Sequence, residues 1–223
     1  MVIELDQELE KLVRRAEAEW IERFVAGPKQ LRWDELPPQV GDPAPDLEIR
    51  DSTGTWRQLR ELWADGPALL LFWRHFGCGC GLDRAELLAE EYDEYVEAGA
   101  NVAIVGEGNP ERGQVYREEY DIDCPVLCDP DGAAHETYGL LEFTIAQTLY
   151  HLPELVDRDR SAIEAVAERK REEGLPQVDN PWRQPGEFVV DGDGVLRLAY
   201  RYQYCRDFPD PRVLLTAIRE AKR

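Results

Sequence analysis

The residues best suited to chemistry are two cysteines one residue apart, Cys78 and Cys80, each followed by a glycine. Two thiols at this spacing suit redox chemistry, in which one thiolate attacks and the other then closes a disulfide. A Cys-x-Cys ring is smaller than a Cys-x-x-Cys ring, so its disulfide is predicted to depart from relaxed dihedral angles and to be easily reduced. Gly79 and Gly81 give the backbone the freedom that such a closure needs.

Two other interpretations of the pair stay open. The cysteines are small enough to be packing residues in a glycine-rich turn, or they bind a metal together with His75 or with Cys124 and Cys128. Zinc sites usually separate their thiolates by roughly two to four residues, so a single intervening residue fits a metal poorly. Redox chemistry is therefore the prediction, with no metal site and no cofactor.

The predicted surroundings of Cys78 favour a thiolate. A helix is predicted to begin at Asp83, so Cys78 would face unpaired backbone N–H groups and the positive end of the helix dipole. Arg74 and His75 closely precede this cysteine and are predicted to add positive charge. These effects lower the pKa of a thiol below its free value of about 8.5, as a nucleophilic cysteine requires.

The number of cysteines indicates a reducing compartment. Five are too few, and odd in number, for a secreted disulfide framework. The N-terminus is acidic where a signal peptide is basic and then apolar, so the predicted location is the cytoplasm.

Cys205 follows the last predicted strand, where an exposed thiol is an alternative resolving residue or a link to a second molecule.

The charge of the chain excludes several classes of function. Its 26 basic and 46 acidic residues leave a formal net charge of −20. A nucleic-acid binder needs a basic face that releases counterions, so neither nucleic acid nor an anionic membrane surface is an expected partner. No apolar run approaches the roughly 20 residues that span a bilayer. The apolar fraction of 43% suits a globular chain with one substantial core.

Residues 1–39 are predicted to form a helical extension and linker. Apolar residues recur at helical spacing over residues 4–24, with charged residues between them. Residues 26–45 contain too many glycines and prolines for regular structure, which puts a domain boundary near residue 40. The helix is expected to pack on its own domain, with homodimer formation as the alternative.

Residues 40–223 predict one α/β domain. A strand, a helix and a strand follow one another in the order that forms a parallel βαβ unit, between two β-hairpins. Residues 141–185 interrupt this pattern as a helical insertion. The predicted elements are a hairpin over 46–59, strands over 69–73, 101–105, 124–127, 187–190 and 195–202, and helices over 83–98, 110–120, 133–138, 160–173 and 211–221.

Four segments are similar to those of a known family. They are Val40-Gly41-Asp42-Pro43-Ala44-Pro45-Asp46, Leu70-Leu71-Phe72-Trp73-Arg74-His75-Phe76-Gly77-Cys78, Cys124-Pro125-Val126-Leu127-Cys128-Asp129-Pro130-Asp131-Gly132 and Pro185-Gly186-Glu187-Phe188-Val189-Val190-Asp191. These segments resemble the peroxiredoxin-like branch of the alkyl hydroperoxide reductase and thiol-specific antioxidant (AhpC/TSA) family. The resemblance implies a thioredoxin-like fold, a redox-active Cys78, a peroxide or disulfide substrate, and a thioredoxin-like or small-thiol electron donor.

The same resemblance assigns other positions. Cys124 and Cys128 fall where the family often has an aromatic and a small residue in a buried strand, which favours a structural role. Pro185 stands where thioredoxin-like proteins place a cis proline facing the active cysteine, and either isomer is compatible with the pattern. Gly77 occupies the position before the first cysteine, where thioredoxins have tryptophan.

Two departures from the family pattern bear on peroxide chemistry. Peroxiredoxins place a proline seven residues, and a threonine or serine three residues, before the attacking cysteine, whereas this chain has Leu71 and His75. The predicted function is a thiol-dependent, peroxiredoxin-like hydroperoxide reductase, with Cys78 as nucleophile and Cys80 as resolving thiol. Because the orienting hydroxyl is missing, disulfide exchange without peroxidase activity is an alternative. A non-catalytic metal- or protein-binding module on the same fold is another.

Overall fold

The computed structural model describes residues 2–76, 79–149 and 153–222. These residues form seven strands: β1 (Glu48–Asp51), β2 (Trp56–Gln58), β3 (Ala68–His75), β4 (Asn101–Glu107), β5 (Val126–Cys128), β6 (Gly186–Val190) and β7 (Leu196–Arg201). They make one mixed sheet in the order β2-β1-β5-β4-β3-β6-β7. The predicted hairpins and the parallel pairing of β3 with β4 are confirmed.

Helices pack around this sheet. The described residues form α1 (Val2–Ala26), α2 (Gly79–Glu97), α3 (Pro110–Glu119), α4 (Ala133–Thr137), α5 (Ile145–Leu149), α6 (Arg160–Glu172) and α7 (Pro211–Ala221), with 3-10 turns at Leu59–Leu62 and Pro153–Leu155. The predicted class, a mixed α/β sheet flanked by helices, is confirmed. Across the described residues, no helix is both long enough and apolar enough to cross a membrane.

Strand β3 is central because it is apolar on both faces. Alternate side chains of a strand point to opposite faces of its sheet. Leu71 packs with α2 and α7 residues in one core, whereas Phe72 packs with Tyr138 and Phe188 in a second core on the other face. The strand is therefore buried from end to end, and the residues that follow it leave the sheet at a fixed place.

Helix α2 begins at Gly79, four residues before the predicted start at Asp83. The prediction was wrong because glycine has low intrinsic helix propensity, so the glycine-rich segment appeared to precede the helix. Packing overrides this propensity, since Cys80 and Gly81 are both buried in the first turn. The cysteine loop is consequently shorter than the sequence predicted.

The N-terminal helix and the insertion pack together. Trp20 and Phe24 of α1 lie in a separate core with Ile163 and Val166 of α6 and with Trp182. The helix was predicted to pack on its own domain, and it contacts the insertion of that domain. Helices α1 and α6 contact each other through residues that are 138 and 154 apart in sequence, and together they form one layer beside the sheet domain.

Candidate active site

The C-terminal end of β3 leads directly into the candidate site. The strand ends with Arg74 and His75, and both side chains are buried. Gly77 and Cys78 lie outside the described residues, and α2 then begins at Gly79. Cys80 is therefore in the first turn of α2, where the N–H groups of a helix have no intrahelical partners and the helix dipole is positive. A thiolate in such a turn is stabilised by both effects.

Cys80 is disulfide-bonded, whereas the other described cysteines, Cys124, Cys128 and Cys205, are free thiols. The Cys80 side chain is largely buried, with 8% of its surface exposed. Its pairing with Cys78 remains a prediction, because Cys78 lies outside the described residues.

Arg74 supplies positive charge beside the Cys80 sulfur, whereas its predicted effect on Cys78 stays a prediction because Cys78 lies outside the described residues. Its Nη1 lies 3.9 Å from Sγ of Cys80 and 2.9 Å from Sγ of Cys205. Its Nη2 donates to the backbone carbonyl of Pro181 in the insertion. These contacts fix the guanidinium in a buried position, where its charge is poorly screened and acts strongly on a nearby sulfur.

His75 does not contribute the charge that was predicted for it. Burial lowers the pKa of His75 well below its ordinary value, and the positive charges of Arg74 and Arg112 lower it further. The imidazole is therefore neutral at neutral pH. Its Nδ1 is buried and has no hydrogen-bond partner among the described residues.

The prediction that Cys205 is exposed is wrong. Its side chain is 1% exposed and packs with Cys80, Phe143 and Tyr202. Burial raises the pKa of Cys205, and the nearby Arg74 only partly opposes this shift. Because of this burial, Cys205 is poorly placed for a link to a second molecule, but it lies in the same cluster as Cys80.

Pro185 lies at the candidate site with a trans peptide bond. Within the described residues no peptide bond is cis, which settles the isomer that the sequence left open. The proline lines a small cavity together with Cys80 and Arg84, and its carbonyl accepts the backbone N–H of Tyr202 at 3.1 Å. Pro185 thus joins β6 to the segment after β7 directly beside the cysteine.

Sequence analysis missed a buried ion-pair network one helical turn beyond Cys80. Nε of Arg84 lies 2.8 Å from Oε1 of Glu187, and its Nη1 lies 3.0 Å from Oε2 of Glu91. The hydroxyl of Tyr202 donates to the same Glu187 oxygen. Burial lowers the pKa of Arg84, but the Glu187 carboxylate outweighs burial and raises the pKa above its ordinary value.

One feature of the sequence points to this network. Residues four apart lie on the same face of a helix, so Arg84 belongs to the face that carries Cys80. Glu187 is 103 residues away from Arg84 in sequence, and only the pairing of β6 with β3 brings it to this face. The helical spacing was therefore available from the sequence, whereas the partner was not.

Cys124 and Cys128 are buried, which agrees with the structural role predicted for them. This burial raises the pKa of each thiol to about 12, so neither forms a thiolate at neutral pH.

Across the part of the chain that the structure describes, no group of three or more histidine, cysteine, aspartate or glutamate residues is arranged to hold a metal ion. His135 has a structural place, with its ring nitrogens 2.6 Å from the Asp129 carboxylate and 2.9 Å from the Trp73 carbonyl.

The comparison with sequences identifies a family and a relative. A model described as the AhpC/TSA family matches residues 40–199. The chain is 26% identical over 166 residues to the "Thioredoxin-like protein AAED1, chloroplastic" of Arabidopsis thaliana, covering 72% of this chain and 64% of that protein. The chain therefore spans less than two thirds of the length of this relative.

Solved structures share the fold. One is the crystal structure of peroxidoxin BcpB from Mycobacterium tuberculosis, with a TM-score of 0.59 and 19% identity over 83% of this chain and 99% of that chain. Another is a thiol peroxidase from Chromobacterium violaceum, with a TM-score of 0.54 and 16% identity over 84% of this chain and 90% of that chain. These likenesses confirm the predicted thioredoxin-like fold.

Proposed function

Because this chain belongs to the AhpC/TSA family, we propose that it is a thiol-dependent oxidoreductase with Cys78 as the attacking thiolate and Cys80 as the resolving thiol. One observation carries the proposal. A disulfide-bonded Cys80 lies in the first turn of α2 with the buried guanidinium of Arg74 3.9 Å from its sulfur. The helix start and the arginine both favour the anionic sulfur that thiol chemistry needs.

In the peroxidase route, the Cys78 thiolate attacks one oxygen of a hydroperoxide and the O–O bond breaks. Cys78 becomes a sulfenic acid, and the other oxygen leaves, after protonation, as water or an alcohol. The Cys80 thiol then condenses with the sulfenic acid, which releases water and forms the disulfide. The two thiols thus supply both electrons. A thioredoxin-like protein or a small thiol returns these electrons by reducing the disulfide.

A second route, disulfide exchange, is favoured by the residues before the cysteine. His75 and Leu71 are both buried and stand where peroxiredoxins have a hydroxyl residue and a proline. Neither supplies the hydroxyl that orients a peroxide oxygen. In this route the Cys78 thiolate attacks a substrate disulfide and forms a mixed disulfide. Cys80 then resolves it, which releases the substrate as a dithiol and leaves the Cys78–Cys80 disulfide.

Cys205 is the alternative resolving thiol in this proposal. The sulfurs of Cys80 and Cys205 both lie against Nη1 of Arg74, within the same buried cluster. This placement lets Cys205 reach the sulfur of Cys80 within the protein interior.

The proposal retains the predicted cytoplasmic location and the absence of nucleic-acid and membrane partners, with homodimer formation as an alternative to a single chain.

The experiment that tests the function starts from fully reduced protein. One equivalent of hydrogen peroxide is added, free thiols are counted over time, and the disulfides formed are mapped by mass spectrometry. We expect fast loss of two thiols and a Cys78–Cys80 linkage. A Cys78–Cys205 linkage would keep the nucleophile and transfer the resolving role to Cys205.

Two variants make this experiment specific. Cys78→Ser removes the proposed nucleophile, whereas Cys124→Ala removes a buried thiol that takes no part in the proposal. We expect the first variant to lose the fast reaction and the second to keep it. If the native protein is as slow as Cys78→Ser, the same assay with a small aromatic disulfide decides for disulfide exchange. Slow reaction with both oxidants, or a metal that copurifies with the protein, would favour the non-catalytic module.

A further inference from the structure

A cleft of about 180 Å³ opens beside Cys80, and much of its wall lies outside the sheet domain. Trp20 of α1 and Lys170 of α6 line it, together with Gln177 and Pro181 from the segment after α6. We propose that this cleft binds a small thiol carrying a carboxylate, and that this anionic thiol is the reductant of the Cys80 disulfide. The inference rests on the proposed function and names the chemical class of its electron donor.

The cleft is cationic in a strongly acidic protein. Arg74, Lys170 and Arg206 line it, and no carboxylate does so among the described residues. The whole chain has a formal net charge of −20. A local excess of positive charge with walls of low dielectric attracts anions even when the net charge of the protein repels them. The cleft is thus suited to an anionic ligand.

The ion pairs of Lys170 and Arg206 leave their charges able to act on a ligand. Lys170 pairs with Glu173 at 2.6 Å, and Arg206 pairs with Asp83 at 2.6 Å. Both acidic partners are solvent-exposed and the Lys170 side chain is half-buried, and water that reaches the acidic side of such a pair weakens it. A carboxylate that enters the cleft can therefore share or replace these partners.

His75 adds an independent indication of a ligand. His75 is among the residues that line the cleft, is almost fully buried, and has an Nδ1 atom without a hydrogen-bond partner among the described residues. A buried polar atom that lacks a partner costs free energy, and a ligand that forms the hydrogen bond recovers it.

The reducing step fixes the remaining chemistry. The thiolate of the ligand attacks one sulfur of the disulfide, which forms a mixed disulfide and releases the other protein sulfur as a thiolate. A second thiol then releases the first as a symmetrical disulfide and leaves the protein in the dithiol form.

The size of the cleft limits the ligand. At about 180 Å³ the cleft is smaller than the pockets of roughly 300 Å³ or more that hold drug-sized ligands, which favours a small thiol over a protein as its occupant.

The test compares three thiols of similar size that differ in charge: mercaptoacetate, 2-mercaptoethanol and cysteamine. The oxidised protein is mixed with each thiol, quenched with a maleimide and analysed by mass spectrometry, and rates are divided by the thiolate concentration. An oxidised Cys-Gly-Cys peptide gives the intrinsic order of the three thiols. We expect mercaptoacetate to reduce the protein about tenfold faster, relative to 2-mercaptoethanol, than it reduces the peptide.

Two matched lysine variants locate the effect. Lys170→Gln removes a positive charge from the cleft, whereas Lys11→Gln removes one from an exposed site on α1. We expect the mercaptoacetate preference to fall at least about threefold in the first variant and to stay unchanged in the second. The same order of thiols for native protein and peptide, or equal preferences in Lys170→Gln and native protein, would overturn the proposal.

A binding measurement separates this inference from the proposed function. (Methylthio)acetate has the carboxylate of mercaptoacetate but no thiol, so its binding requires no redox step. We expect it to shift the imidazole nitrogen signals of His75 in NMR spectra, with 2-(methylthio)ethanol as the uncharged control. If the protein fails the peroxide and disulfide assays but shows this shift, the proposed function fails and the anion site stands. If neither compound moves the signals, the site is overturned.

Discussion

Nη1 of Arg74 lies 2.9 Å from Sγ of Cys205, and both side chains are buried. The same nitrogen donates to Sγ of Cys80 at 3.9 Å. One fixed cation thus faces a sulfur in the first turn of α2 and a second sulfur in the segment after β7. Burial disfavours a charged sulfur, and the positive charge of Arg74 opposes this effect by stabilising a thiolate at this place.

Replacement of Arg74 by methionine is expected to make the site thiol less reactive. Methionine keeps a long apolar side chain but removes the charge, so the pKa of the site thiols near Arg74 should rise. At pH 7 we expect an approximately tenfold slower alkylation of the reduced site cysteines by iodoacetamide. The measurement is the pH profile of alkylation for each cysteine, obtained by mass spectrometry.

The control for this prediction is Arg60→Met, because Arg60 is exposed and, among the described residues, its ion pair is with Asp46. It removes the same charge from the protein without changing the site. Identical alkylation profiles for native protein and Arg74→Met would contradict the role of the guanidinium.

Oxidation of the Cys78→Ser variant is expected to join Cys80 to Cys205. With Cys78 absent, the sulfur of Cys80 has the Cys205 sulfur as a neighbour in the same cluster, and both contact Arg74. Treatment with diamide followed by non-reducing peptide mapping measures the linkage. A Cys78→Ser/Cys205→Ser double variant should yield no internal disulfide, and a product that joins Cys80 to Cys124 or Cys128 would show that the cluster does not guide the reaction.

The fold was largely predictable because its elements have local causes. The apolar residues of β3 predict a doubly buried strand, and Asp191-Gly192-Asp193-Gly194 predicts the turn between β6 and β7. The start of α2 was not predictable from propensity, since Cys80 and Gly81 enter the helix through packing. The pairing of α1 with α6 was equally hidden, because amphipathic periodicity shows that a helix has an apolar face but not what covers it.

The candidate site was predictable only in part. The position of Arg74 beside the cysteine follows from its sequence distance and the direction of β3. The neutral state of His75 depends on burial and on Arg112, which arrives from α3. The burial of Cys205 depends on Phe143, which is distant in sequence, and on Tyr202, which is close in sequence but packs against Cys205 only in the folded chain. These properties arise from contacts between distant segments.

Glu187→Gln is expected to destabilise the protein strongly. The variant keeps the size of the side chain but leaves the buried guanidinium of Arg84 without its nearest carboxylate. Removing one partner of a buried ion pair costs about 3 to 5 kcal/mol, because the remaining charge stays desolvated. Urea unfolding, monitored by tryptophan fluorescence, measures the change in the free energy of unfolding.

Two further variants test whether the loss of stability comes from the unpaired buried charge. The double variant Arg84→Met/Glu187→Met removes both charges and is expected to be more stable than Glu187→Gln, since no unpaired buried charge remains. Asp46→Asn breaks an exposed pair and should cost less than about 1 kcal/mol. A loss in Glu187→Gln as small as that in Asp46→Asn would show that Glu91 and Tyr202 suffice to hold Arg84.

His75 is expected to make the folded state less stable in mild acid. Burial, Arg74 and Arg112 lower the pKa of His75 in the folded protein well below the ordinary value of 6.5 that applies to the unfolded chain. Between these two pKa values the unfolded chain binds one more proton than the folded protein. The free energy of unfolding should therefore be unaffected by this histidine above about pH 7 and should fall as the pH drops below 6.5, with a slope of up to about 1.4 kcal/mol per pH unit.

The measurement that isolates this contribution is urea unfolding of native protein and His75→Gln at intervals from about pH 7.5 to pH 5. Carboxylates titrate in both proteins, so the difference between the two curves reports the histidine alone. We expect the native protein to lose stability relative to His75→Gln as the pH falls, because glutamine fills the site with an amide that does not titrate. Parallel curves would mean that the His75 ring gains its proton equally in both states, which requires a solvent-accessible imidazole and contradicts its burial between Arg74 and Arg112.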